Sequence, residues 1–285
     1  MTQPTKCRAC DSGLTESRFA IGGYEMLRCT RCHSLTTAVA MERDAAERFY
    51  SQSYYKGGDY ADYESSEAAL KSNFRRFAKR LSSVQPGGRL LEVGCAYGYF
   101  LDVARESWEV DGIDVSAEAI AACKPRFGER VHCGDLLAHS FQHGAFSCIA
   151  CWDTIEHVDQ PRAYLRRFAD LLAPRGSVAL TTGDISSLVA RTSGRHWRLL
   201  TPPSHLTFFS RPGMHAVLED AGFEDIHISS AGYSRSLEFV LFRMLGQKNY
   251  KRLVDVMPAL QGVLRSADLY VNLFDIMFVT ARKAH

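Results

Sequence analysis

Apolar positions along the chain change period several times, and the changes predict an order of elements. Leu70, Phe74, Phe77, Leu81 and Val84 step by four, three, four and three, which builds one apolar face of a helix. Arg75, Arg76, Lys79 and Arg80 lie largely off that face, as a solvated surface would, and Gln85-Pro86-Gly87-Gly88 ends the helix. Short continuous apolar runs follow. Arg89–Val93, Val110–Val115, a stretch near Val131, Phe146–Trp152 and Ser177–Thr182 read as buried strands. Helices are expected from Tyr99 to about Arg105 and from Pro161 to Leu172, the latter with proline in its first turn, while Pro174-Arg175-Gly176 reads as a turn. A further helix starts at Ser210-Arg211-Pro212 and ends at Ala221-Gly222-Phe223. Leu237–Met244 and Tyr250–Leu264 also read as helices, and the chain returns to a strand near Val271–Ala281. Alternation of this kind predicts an α/β domain built on a doubly wound parallel sheet.

Such a sheet binds its ligand beyond the carboxyl ends of the strands, where strand order reverses. Glu92, Asp114 and Asp135 each sit at a predicted strand end. Gly94-x-x-x-Gly98 lets the backbone approach a ligand closely, and Asp114, 22 residues after Glu92, can accept from a ribose diol. The loop lacks the G-x-G-x-x-G pattern that seats a pyrophosphate, which favours a nucleoside ligand without one.

The nine cysteines change the picture at the N-terminus. Cys7-x-x-Cys10 and Cys29-x-x-Cys32, separated by 18 residues, have the spacing of a tetrathiolate zinc site. Asp11-Ser12-Gly13 and Gly22-Gly23 supply turns for a hairpin between the pairs. Some 30 residues cannot build a sufficient core, so bound zinc would supply the folding energy, and with four thiolates its role would be structural. Cys29-x-x-Cys32-His33 also matches the haem attachment pattern, which leaves the upstream pair unexplained. Cys148-x-x-Cys151 lies in an apolar run and reads as a pair of core thiols.

Leu90-Leu91-Glu92-Val93-Gly94-Cys95-Ala96-Tyr97-Gly98, Gly112-Ile113-Asp114-Val115-Ser116 and Gly134-Asp135-Leu136 resemble, in order, the cofactor motifs of class I S-adenosylmethionine-dependent methyltransferases. The resemblance runs from about Pro86 to the C-terminus. It implies a Rossmann-like sheet of seven strands with the last antiparallel, and S-adenosylmethionine as cofactor. Glu92 and Gly94 would face the methionine part, Asp114 the ribose hydroxyls, Asp135 the adenine amino group and Leu136 the ring. Ala96, Gly98 and Trp152 complete the expected cofactor contacts. Ala96 departs from the family, which usually has glycine there.

Methyl transfer to a hydroxyl or carbon acid requires removal of a proton, hence a base near the cofactor. His157, in Trp152-Asp153-Thr154-Ile155-Glu156-His157, leaves the fourth parallel strand and is one candidate, with Glu156 able to orient it. His205 is the other. Its segment, residues 184–210, holds two prolines among polar and aromatic residues and reads as an ordered loop over the site. The stretch from Trp197 to Ser210 resembles a region of bacterial methyltransferases that modify sugars, polysaccharide precursors and similar metabolites, several of which carry an N-terminal four-cysteine zinc module.

The expected organisation is a zinc ribbon over 1–40, a helical lid or linker over 41–85 carrying Tyr54, Tyr55, Tyr60 and Tyr63, and a methyltransferase domain over 86–285. Its expected partner is a small-molecule substrate, a sugar or related metabolite, methylated at oxygen or carbon. Two other readings remain: an RNA methyltransferase that grips its substrate through the zinc module, and a cofactor-binding interaction protein without chemistry. Thirty-four basic against 32 acidic side chains, with no dense basic–aromatic patch, argue against a nucleic-acid partner. No apolar run reaches the ~20 residues of a membrane span, and the start lacks a secretory pattern, so a cytoplasmic location without membrane contact is expected. A homo-oligomer is left open.

Overall fold

The computed structural model describes residues 6–38, 67–237 and 268–284, with positions 241, 262 and 264 besides. The four lid tyrosines, and most of the two expected helices between Leu237 and Leu264, lie outside the described residues.

The cysteine-rich start forms a meander: β1 (Leu14–Ile21), β2 (Tyr24–Cys29) and β3 (Leu35–Thr37). Gly22 and Gly23, both at positive φ, make the β1–β2 turn as their sequence predicts. Then α1 (Glu67–Ser82) buries Phe77 and Leu81 and half-buries Phe74, the face that the apolar spacing selects. Val84 falls beyond its end.

The parallel strands follow: β4 (Arg89–Val93), β5 (Glu109–Asp114), β6 (Val131–Cys133), β7 (Phe146–Trp152) and β8 (Leu172–Gly183). Between them lie α2 (Tyr99–Ala104), α3 (Ala117–Phe127) and α4 (Pro161–Leu171). α3 starts on Ser116, whose hydroxyl accepts from the Ala119 amide. β8 is longer than the expected Ser177–Thr182. Pro174-Arg175-Gly176 does not end it but bulges, with Arg175 at φ 60° and a register shift against β7.

Residues 184–210 contribute α5 (Leu188–Ser193) and a two-residue strand, β9 (Thr207–Phe208). The chain continues through α6 (Arg211–Asp220), β10 (Phe223–Ser230), β11 (Tyr233–Ser236), β12 (Asp268–Val271) and β13 (Ile276–Lys283). The single C-terminal strand expected over Val271–Ala281 is therefore two strands. Phe274 at φ 58° marks the bend between them.

Seven strands form the main sheet in the order β10-β13-β8-β7-β4-β5-β6. β4 to β8 pair in parallel where adjacent, and β13, last in the chain, inserts antiparallel between β8 and β10. Helices α1, α2 and α3 cover one face through Phe77, Phe100 and Ile120. Helices α4 and α6 cover the other through Phe168 and Leu218. Each such fully buried side chain contributes roughly 1.5–3 kcal/mol of hydrophobic stabilisation. Both faces of the central strands are thus apolar, which is why they read as continuous runs rather than alternating ones.

A second sheet has the order β1-β2-β3-β9. Leu35 pairs with Phe208 and Thr36 with Thr207, so the N-terminal meander is completed by a strand from the 184–210 segment. Among the described residues, no helix is long and apolar enough to cross a membrane.

Candidate functional site

Strand order reverses between β4 and β7, and the loops leaving these two strands meet at the switch point. The β4 loop turns on three left-handed residues, Gly94, Ala96 and Gly98, at φ 79°, 43° and 71°. A side chain on Gly94 would collide with Thr154 of the β7 loop, so the two loops touch there. Ala96 holds the same backbone region despite its Cβ, at a cost of about 1–2 kcal/mol. The Cys123 thiol donates to the Ala96 carbonyl at 3.2 Å.

Asp114 ends β5 with a buried carboxylate. It accepts from the Ala96 amide through Oδ2 and from the Ser116 amide through Oδ1, both at 2.8 Å. Burial raises its pKa, opposed by these two amide donors. Each oxygen retains a second lone pair for another donor.

Glu92 is 3% exposed, and its Oε2 has no hydrogen-bond partner. Burial, reinforced by the nearby Cys123 and Asp114, pushes its carboxyl well above the usual range. An unsatisfied buried carboxylate oxygen is costly, and an ammonium group is the kind of partner that would satisfy it. Trp152 presents a second unmet group at the end of β7: its Nε1–H is buried without an acceptor, while its ring packs on Phe77 and Phe100 with centroids 5.0 and 5.1 Å away. These two orphaned groups, together with the close-packed β4 loop, fit S-adenosylmethionine.

Asp135 follows β6. Its Oδ1 accepts from the Leu137 amide at 2.7 Å and its Oδ2 from the Tyr164 hydroxyl at 3.0 Å. Leu136 beside it is 2% exposed and belongs to the core with Leu91 and Ile113.

The β7 loop carries the acidic and imidazole groups. Asp153 accepts from Thr181 Oγ1 at 2.9 Å and from the Tyr233 hydroxyl at 2.5 Å. Glu156 is 5% exposed, and its Oε2 is unpartnered. Burial and the charge of Asp153 hold its carboxyl up at about 8. His157 Nδ1 contacts the Ser204 carbonyl at 2.8 Å, and His205 Nδ1 contacts the Leu199 carbonyl at 2.9 Å. A carbonyl can only accept, so both Nδ1 atoms donate. The two rings meet edge to face with centroids 4.6 Å apart. Burial lowers the pKa of His157, and burial plus the neighbouring His157 lowers that of His205 to about 3. The two histidines named as base candidates from sequence are thus brought together with Glu156.

Cys7, Cys10, Cys29 and Cys32 offer sulfurs that lie within 4.8 Å of one another. The Cys7–Cys32 and Cys10–Cys29 pairs are 3.6 and 3.5 Å apart. A tetrahedral zinc with bonds of ~2.3 Å sets its sulfurs about 3.8 Å apart, so the four fit that ion. Both knuckles repeat one turn: Asp11 N donates to Cys7 O at 2.9 Å and His33 N to Cys29 O at 3.0 Å, with Asp11 and His33 left-handed.

Several participants carry no signal in the sequence. Tyr164 reaches Asp135 from α4, Tyr233 reaches Asp153 from β11, and Cys123 braces the β4 loop from α3. Each partner lies tens of residues away, and only the topology brings them together.

The methyltransferase-domain family matches residues 63–228, more than half of the chain. A ubiquinone biosynthesis O-methyltransferase of Xanthomonas campestris is 34% identical over 105 residues, covering 34% of this chain and 44% of that protein. Its counterpart in Cronobacter sakazakii is 31% identical over 109 residues, covering 34% and 42%. The chain therefore matches less than half the length of these relatives. Among solved structures, the YcgJ protein of Bacillus subtilis has a TM-score of 0.55 at 14% identity, covering 75% of this chain and 99% of that one. A SAM-dependent methyltransferase of Archaeoglobus fulgidus also scores 0.55, at 18% identity, covering 79% and 100%. At such identities the likeness is one of fold. The family match, the sheet order and the motif loops agree, and the chain belongs to the methyltransferase-domain family.

Proposed function

We propose that this chain transfers the methyl group of S-adenosylmethionine to a hydroxyl of a small acceptor, a sugar or related metabolite. The observation that carries the cofactor reading is the buried, unpartnered Oε2 of Glu92 beside a loop that closes on Asp114. Glu92 would receive the ammonium of the methionine part, and Asp114 the ribose diol. The β4 loop offers backbone without bulk at Gly94 and Gly98. Asp135, oriented by Tyr164 and the Leu137 amide, would take the adenine edge, while Leu136 supports it from the core. Trp152 would meet the cofactor through its indole N–H.

When bound, S-adenosylmethionine supplies an electrophilic methyl group on a sulfonium, open to in-line attack. The protein's own contribution is position and proton handling. Thr154 sets the β7 loop against the β4 loop, and Glu156 and His157, two and three residues on, form a polar cluster with His205 at the same strand end. We assign the acceptor hydroxyl to the side of this cluster. His205, held neutral down to about 3, is the weaker proton acceptor of the two histidines. Support for a sugar-like acceptor comes from the Trp197–Ser210 resemblance, and support for oxygen as the acceptor atom comes from the names of the curated relatives. The four cysteines are assigned one structural zinc.

The test is calorimetric titration with S-adenosylmethionine, followed by a methyl-transfer screen over nucleotide sugars and hydroxylated metabolites. Micromolar cofactor binding that Glu92→Gln weakens about tenfold or more is expected. Wild-type protein without cofactor binding would overturn the assignment.

A further inference from the structure

Methyl transfer to a hydroxyl needs one proton acceptor, and the geometry separates the three candidates that meet after β7. His157 is engaged on two sides. Its Nδ1 donates to the Ser204 carbonyl at 2.8 Å, and the Asp153 carbonyl is a second main-chain partner of the ring. Both carbonyls call for an N–H, so this ring joins the β7 loop to the 184–210 segment instead of offering a lone pair. The same junction is fixed by Leu206 N and Thr207 N, which donate to the Glu156 carbonyl at 2.9 and 3.1 Å.

Glu156 and His205 line a cavity of about 10 Å³, room for one water, and His157 does not. The Thr207 hydroxyl, buried without a hydrogen-bond partner, lines it too. His205 turns Nδ1–H to the Leu199 carbonyl at 2.9 Å, which leaves its lone pair on Nε2. The Glu156 carboxyl takes the Thr182 hydroxyl and its own amide, two of the roughly four donors a carboxylate accepts, and its Oε2 is buried without a partner. A water in this cavity therefore has Glu156, His205 and Thr207 as polar partners, about the usual number for a buried one. Thr154, two residues before Glu156, lies against Gly94 of the β4 loop, so the carboxyl leaves the same strand end as the expected cofactor contacts.

We propose that Glu156, and neither histidine, takes the proton of the acceptor hydroxyl, through one water seated between Glu156, His205 and Thr207. The inference rests on the methyl-transfer reading above and deepens it. The hydroxyl oxygen bonds to the methyl carbon as the carbon–sulfur bond breaks, and the electron pair of that bond stays on sulfur. The hydroxyl proton passes to the water, and a proton of the water passes to the Glu156 carboxylate, which later releases it to solvent. Burial and the charge of Asp153 hold the Glu156 carboxyl up at about 8, a good match for a base near neutral pH, whereas His205 falls to about 3. The other titratable groups facing Glu156 carry no charge against this: burial keeps the Cys151 thiol protonated and both imidazoles neutral. His205 and Thr207 orient the water and are positioning residues.

One arm of the test needs no acceptor. Infrared difference spectra of the full chain between about pH 6 and 10 should contain a protonated-carboxyl band that disappears around pH 8, and Glu156→Gln should lack it. The other arm uses a nucleotide sugar or hydroxylated metabolite that the screen turns over. Wild-type kcat should rise about tenfold per pH unit up to about 8 and then level off. Glu156→Gln should lower kcat by about 100- to 10,000-fold and lose the rise, and Glu156→Asp should recover part of both. His157→Gln and His205→Gln should slow turnover and keep the rise. Circular dichroism and calorimetric binding of S-adenosylmethionine confirm that the variants are folded. An infrared difference without a Glu156 band, or a pH rise that survives Glu156→Gln, would overturn this proposal alone. Wild type that binds no S-adenosylmethionine would overturn the methyl-transfer reading and this proposal with it.

Discussion

Arg8, between the first two cysteines, donates from Nη2 to Asp159 Oδ1 at 2.8 Å, 151 positions along the chain. The same guanidinium reaches the carbonyls of Thr37 at 2.9 Å and Leu206 at 3.3 Å, so one side chain ties three segments together. Arg8 is 7% exposed and Asp159 35%, which puts the pair between a buried and a surface ion pair. Arg8→Ala is expected to cost about 1–3 kcal/mol in urea unfolding, with solvent access to Asp159 already discounted. Arg8→Lys should recover only part, because an ammonium cannot reproduce the fork. No change in the urea midpoint would show that the cysteine meander holds its place without this clasp.

Asp114 organises the β4 loop before any ligand arrives, since its two oxygens fix the Ala96 and Ser116 amides. Asp114→Ala should therefore weaken S-adenosylmethionine binding by roughly 100-fold or more, from lost charge-assisted hydrogen bonds worth about 1.5–3 kcal/mol each. Asp114→Asn should fall between the two. Calorimetry that returns an unchanged affinity for the alanine variant would refute the ribose role.

Ala96 sits at φ 43°, where an L-residue is strained and glycine is not. Ala96→Gly releases that strain but adds freedom to the unfolded chain. A net gain of roughly 0.5–1 kcal/mol is expected, with cofactor affinity equal to or above wild type. A destabilised variant would mean that the Ala96 methyl group makes packing contacts worth more than its strain.

Cys29→Ser should remove the tetrathiolate ion, and because β3 pairs with β9 the effect should not stop at residue 38. Limited proteolysis is expected to cut such protein within 184–210 as well as in the meander. Cleavage confined to the N-terminal residues would show that β9 keeps its place without β3.

His132 and His139 face each other with centroids 4.6 Å apart, and both pKa values are lowered, first by burial. A base whose folded pKa is depressed contributes stability that is full above its unfolded value, near 6.5, and lost as pH falls below it. The urea midpoint should drop between pH 7.5 and 5.5, and His139→Gln should lessen the drop. An equal drop in both proteins would assign the acid sensitivity elsewhere.

What the sequence makes legible depends on how local its cause is. β4 and β7 have the bounds of their apolar runs because strands buried on both faces need no partner to be identified. The four cysteines are legible for the same reason, since zinc spacing is set within each knuckle. β9 is not, because two residues carry no period and its existence depends on Leu35 and Thr36 far upstream. β8 is longer than expected because a bulge at Arg175 has the composition of a turn. The motif acids Glu92, Asp114 and Asp135 stand at strand ends as read, whereas the meeting of His157 with His205 required the 184–210 segment to fold back over β7.

The shared strand also sets an order of events during synthesis. The meander leaves the ribosome complete except for its edge: β3 exposes unpaired amides and carbonyls until Thr207 and Phe208 have been made, roughly 170 residues later. At about 5–20 residues per second that is an interval on the order of ten seconds or more. An open edge of this kind invites pairing with other chains. For that interval the nascent meander carries an open three-residue edge that the finished molecule no longer displays.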